Sequence, residues 1–195
     1  MDYPQFWKEA SPKRKRIYAV LIVFILSVLA TTIGMLVPVS PEEAKIISDY
    51  LNQTVTQGQA QGTLSADIFL NNFPLCLLMF VPLAGFAMGM FILFSTGQAF
   101  RAVFEIQAAG GAAASSSVEL TAATAVLTLF LVGLVFLLEY VSYSIAMAES
   151  IWLFRRITQK QWKGELKYLA IFIGVVALLL IIGAVAETFA LSIGA

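Results

Sequence analysis

Histidine is absent from this chain of 195 residues, and cysteine occurs once, as Cys76. Without histidine the commonest general base and the commonest transition-metal ligand are missing. A Ser-His-Asp triad, a Cys-His pair and an H-E-x-x-H zinc site are excluded within the chain. One cysteine excludes an internal disulfide, and its place in an apolar run leaves the redox compartment unread. Charge is scarce too. Only 12% of residues are charged and 59% are hydrophobic, where a soluble domain has about a quarter charged and half apolar. So few charges cannot cover a water-facing surface, and lipid is the solvent expected for most of the chain. Net charge is zero, so the placement of the charges carries the information.

What is present is a series of long apolar runs. Residues 1–16 form a basic head, with Lys8, Lys13, Arg14, Lys15 and Arg16 against Asp2 and Glu9. Tyr3, Phe6 and Trp7 share one face of a short helix, which suits a membrane interface; a frayed terminus is the alternative. Residues 17–195 read as a single transmembrane domain. Its first run, 17–37, is long enough to cross a hydrocarbon core of ~30 Å. Ser40-Pro41-Glu42-Glu43 then forms a capping box with proline in the first turn. With Ile46, Ile47, Tyr50 and Leu51 behind it, this box predicts a short amphipathic helix outside the membrane, followed by a polar linker over 57–63. The run 65–94 is long for one span, and Pro74 and Pro82 predict that it is broken or tilted. Gly85 and Gly89, four apart, offer a face for close helix packing, as Gly183 does in the last run. Residues 108–117 (AAGGAAASSS) lack the Gly-Lys-Ser/Thr of a phosphate loop and read as a connection or a partly inserted helix. Two more apolar stretches follow, 121–154 and 168–192.

Lysine and arginine stay on the cytoplasmic side of short loops. The basic clusters 8–16 and 155–167 therefore belong on one side, with an even number of spans between them. Folding 121–154 as a hairpin that turns near Leu138–Val141 meets this condition. The expected fold class is all-α, a polytopic transmembrane helical bundle of about five spans with broken or short helices and one amphipathic extracytoplasmic helix. The spans are 17–37, 65–94, 121–138, 141–154 and 168–192, with the N-terminus cytoplasmic and the C-terminus extracytoplasmic in a cell membrane. Arg101 then falls inside, and Lys45 is the one basic residue outside.

The residues that could carry chemistry are the carboxylates Glu139, Glu149 and Glu187 in or beside apolar segments, together with Asn71 and Asn72. An ionised carboxylate there must be paired, protonated or facing water. A proton or cation relay is one reading. The other is a structural anchor bonded to groups such as Ser142, Tyr143 and Ser144, with Glu149 paired to Arg155 or Arg156. Glu139 and Glu149 lie ten apart, ~15 Å along a helix, too far for a hydrolytic pair of roughly 5–10 Å. Met79, Met88 and Met90 are better read as packing than as soft-metal ligands. No catalytic residue, metal or cofactor is expected, and no nucleic-acid partner.

Four stretches resemble the stage II sporulation protein M family of small multi-span membrane proteins. They are Phe69-Leu70-Asn71-Asn72, Thr96-Gly97, Leu138-Glu139-Tyr140-Val141-Ser142-Tyr143-Ser144-Ile145-Ala146, and Glu187-Thr188-Phe189. The chain departs from that family where no Pro-His-Gly precedes Glu139 and where Val141 replaces a proline. The resemblance implies a five-span scaffold with its N-terminus inside. The expected function is thus a non-enzymatic scaffold or assembly subunit acting on the lipid bilayer through other integral membrane proteins or homo-oligomerisation. The alternative is an oligomeric transporter or channel using Glu139 and Glu187, since broken helices line substrate sites.

Overall fold

The structure, a computed structural model, describes residues 5–109 and 122–193. Every regular element among them is helical: α1 (Gln5–Glu9), α2 (Pro12–Leu36), α3 (Pro41–Gln61), α4 (Leu64–Leu78), α5 (Ala84–Ala109), α6 (Ala122–Thr158), a 3-10 turn over Trp162–Glu165, and α7 (Leu166–Ile193). Most of the Gly-, Ala- and Ser-rich stretch and Tyr3 lie outside the described residues.

Local chemistry sets the ends of these helices. Ser11 caps α2 by accepting from the Arg14 N–H, and Pro12 occupies the first turn, where its missing N–H costs nothing. The basic residues 13–16 therefore belong to the spanning helix and not to a separate head. The expected capping box is present at α3: the Ser40 side chain accepts from the Glu43 N–H, and the Glu43 carboxylate accepts from the Ser40 N–H. Helix α3 runs on through the stretch read as a linker, because glutamine and alanine sustain a helix. It stops at Gly62, whose φ of 70° is open to a residue without a Cβ.

The run 65–94 is broken, as expected, into α4 and α5, but the two pieces fold back on each other and do not make one broken or tilted span. Pro74 sits inside α4 without ending it, whereas residues 79–83 break the chain. There Pro82 precedes Leu83, held at φ 64°, a conformation that costs a non-glycine residue roughly 1–2 kcal/mol. Ser150 of α6 supports this turn, its hydroxyl donating to the Val81 carbonyl at 2.6 Å and its own carbonyl accepting from the Leu83 N–H at 3.4 Å. Contacts along α6 show that α4 and α5 form a hairpin. Helix α4 passes Glu139 at Asn72 and Ser142 at Cys76, and the turn after it reaches Ser150 at Val81. Helix α5 returns past Met147 at Gly89 and reaches the level of Thr31 and Tyr140 at Leu93.

The expected hairpin in 121–154 is absent, because α6 is one continuous helix of 37 residues. Residues 134–158 contain no glycine, proline or asparagine to open a turn. The Ser142 hydroxyl bonds back to the Leu138 carbonyl at 2.7 Å, as a serine inside a helix does. The reversal assigned to Leu138–Val141 lies instead at residues 79–83.

Among the described residues, four helices are long and apolar enough to cross a membrane: α2, α5, α6, and α7 with its preceding turn. Helix α4 is apolar but only 15 residues long, short of the ~20 that a perpendicular crossing takes. Arg16 and Arg156 both bond Glu165, so the two basic clusters share one end of the bundle. Arg101 does not join them. It lies beyond Gly97, the residue of α5 that touches Thr31 and Met35 near the far end of α2, and it pairs with Glu105 at 2.6 Å. Isoleucine, leucine and phenylalanine side chains are exposed along α2, α6 and α7, where lipid is their solvent. The core between α2, α5, α6 and α7 is filled by Met79, Leu93, Met147, Val176 and Leu180.

Candidate functional site

Two groups of polar side chains are set into this apolar bundle. The first joins α4, α6 and α7 away from the basic end. The Asn72 side-chain N–H donates to the Glu139 carboxylate at 2.6 Å, and the same amide's oxygen accepts from Asn71 at 3.3 Å. Glu187 of α7 lies within electrostatic reach of Glu139. One residue further on, the Thr188 hydroxyl accepts from Ser65 at 2.8 Å and donates to the Ala184 carbonyl at 2.9 Å. Asn72, Glu139 and Glu187 thus come together, and Asn71 stands at the exposed edge of the group. Of the three anchors expected for Glu139, Ser142 bonds its own helix and Ser144 has no hydrogen-bond partner among the described residues. Tyr143 is buried in the core.

The second group lies at the basic end and takes in Glu149. Its partner is Arg16, at 3.1 and 3.3 Å, and not Arg155 or Arg156 as expected. The same guanidinium bonds Glu165, which also accepts from Arg156 at 3.0 Å. Three aromatic rings surround it, Trp152 and Tyr168 at 5.0 Å and Phe172 at 5.7 Å. Arginine suits this place because its planar fork binds two carboxylates while its faces meet rings. Arg16 therefore locks α2, α6, the 3-10 turn and α7 together. Sequence reasoning placed Arg16 in a basic head and missed the role. Its position one residue before the apolar run was the available signal.

The chain matches no family model, no curated protein and no solved structure.

A third polar contact crosses the middle of the bundle. Thr31 of α2 lies 2.6 Å from the Tyr140 hydroxyl and 3.1 Å from the Leu93 carbonyl. With the tyrosine donating to the threonine, the threonine's own hydrogen serves the carbonyl. Close glycine contacts flank it. A Cβ on Gly34 would collide with the Phe94 carbonyl, and one on Gly97 with the Thr31 carbonyl. Gly85 and Gly89 do carry packing, but within the chain: Gly85 meets the Met79 carbonyl and Gly89 meets the Met147 side chain. Gly183 is buried with Leu138 nearby. Gly34 was not singled out and Gly97 was noted only beside Thr96, not for packing, although Gly85, Gly89, Leu93 and Gly97 keep one spacing of four along α5.

Proposed function

We propose that the chain is a non-enzymatic membrane scaffold or assembly subunit that acts through other integral membrane proteins or further copies of itself, the role its resemblance to the stage II sporulation protein M family implies. One observation carries this reading. The polar groups in the apolar zone bond one another across helix contacts, at Asn72–Glu139, Thr31–Tyr140 and Ser65–Thr188, between helices whose shared core is filled by fully buried methionine and leucine. Groups used in this way hold a shape, and a shape held in lipid offers its outer faces to neighbours. Helix α7 has such a face in Ile171, Val175, Leu178 and Val185, all exposed, with open space over Gly174. The basic end is assigned to the cytoplasm by the lysine and arginine rule.

The test is purification of the tagged chain from its native membrane in mild detergent, followed by crosslinking and native mass spectrometry. Defined partners or a discrete oligomer are expected. Strict monomers that move a solute when reconstituted alone in liposomes would replace this reading with the oligomeric transporter or channel. That second reading rests on the nearness of Glu139 and Glu187 in apolar helices, where unpaired carboxylates mark ion pathways.

A further inference from the structure

A cavity of about 440 Å³ opens beside the Arg16 group. Lys8, Lys15, Arg155 and Arg156 line it with Trp7 and Trp152, and among the described residues no carboxylate does. Of the nearby acids, Glu149 faces Arg16, Glu165 faces Arg16 and Arg156, and Glu9 accepts from the Gln5 amide at 3.0 Å. Neither Lys15 nor Arg155 has a carboxylate partner among the described residues. Lys15 and Arg155, uncompensated beside an open volume, attract an anion, and an arginine beside lysine and tryptophan suits a phosphate ester.

The surroundings identify the anion's source. Lys15 stands at the point where α2 changes from polar to apolar. Steps of seven and eleven residues keep one face of a helix, and from Lys15 they lead to Ile22, Leu26 and Leu29. These are 51%, 40% and 50% exposed. The face of α2 that carries Lys15 thus runs on as an uncovered apolar stripe, as a phosphate with attached acyl chains requires and a soluble phosphate does not. We propose that the cavity holds the phosphate headgroup of an anionic membrane lipid whose chains lie along this stripe of α2. The assignment is independent of whether the protein is a scaffold or a transporter.

The test uses the whole chain, purified in a neutral detergent and titrated with phosphatidylglycerol, phosphatidylcholine, glycerol phosphate and inorganic phosphate under native mass spectrometry. Preferential retention of phosphatidylglycerol is expected. Each cation contributes about fivefold at a membrane surface, so Lys15→Ala with Arg155→Ala should weaken retention roughly 25-fold. Lys13→Ala with Lys163→Ala removes the same charge from the same end but outside the cavity, and should change it less than about threefold. Equal loss in both double variants, or equal binding of the two lipids, overturns the site. Glycerol phosphate or inorganic phosphate binding as tightly as the lipid overturns the lipid as occupant. A readout that needs no variant is tryptophan fluorescence in bilayers containing brominated lipids. Brominated phosphatidylglycerol should quench more than brominated phosphatidylcholine at the same mole fraction, and equal quenching refutes the proposal.

Discussion

A carboxylate in an apolar helix costs roughly 2.5–3.5 kcal/mol or more when it stands alone, and Glu139 does not stand alone. The Asn72 amide at 2.6 Å gives it a donor. Glu139→Gln keeps an acceptor and is expected to leave stability near wild type. Glu139→Leu leaves the amide without its acceptor and should lower stability by ~1–3 kcal/mol, measured by unfolding in mixed micelles. If the two variants lose equally, the charge itself is needed, and the relay gains over the anchor. Glu139 was legible in the sequence because a lone acid stands out in an apolar run. Asn72 was also noted, but nothing local links it to a residue 67 positions away. The same limit hid the partner of Glu149. Arg155 and Arg156 are its nearest cations along the chain, yet Arg16 reaches it across 133 positions.

Among whole elements, short-range signals were reliable where they had a mechanism. The Ser40–Glu43 box started α3 where expected, since both hydrogen bonds close within one turn. Those bonds hold the Glu43 carboxyl below the usual carboxylate range, the Ser40 hydroxyl acting most and the Ser40 N–H next. A depressed folded value means that the stabilisation is complete above the unfolded value and fades as pH falls through the folded one. Glu43→Gln should therefore be less stable than wild type at neutral pH, and the two melting curves should converge in acid. A gap that persists unchanged to low pH would rule out the carboxylate as the cause. The α6 hairpin was misread because a rule about charge was met with a turn that no residue in 134–158 could make, while Pro82 marked the actual reversal. Packing at the α2–α5 contact supplies a further prediction. In lipid, helices associate through close fit. Gly34→Ala or Gly97→Ala drives a methyl into a backbone carbonyl and should cost ~1–3 kcal/mol. Gly174→Ala meets open space and should be neutral or stabilising by up to ~1 kcal/mol. Identical effects at all three glycines would mean that helix propensity, not contact, governs them.

At the scale of the molecule, the demand that both basic clusters share one end was correct, and the path meeting it was different. The chain reverses between α4 and α5, so Arg101 moves to the end opposite Arg16. Labelling of intact cells with an impermeant thiol reagent checks this on a chain carrying Cys76→Ala. Single cysteines at Gln57 and Phe104 should label from outside, and one at Gln159 should not. Labelling at 159 and protection at 57 would reverse the orientation. Labelling at 57 with protection at 104 would return Arg101 to the cytoplasmic side and refute the α4–α5 reversal.

The Arg16 clamp also sets an order of events during synthesis. Its carboxylate partners lie 133 and 149 positions downstream, so α2 is made long before either exists. Through most of translation the guanidinium has to stay at the membrane surface, and α2 is free to slide or tilt. Only when α6, the turn after it and the start of α7 have emerged can the ring of Trp152, Tyr168 and Phe172 close around it. The fold is thus sealed from its first spanning helix by its last.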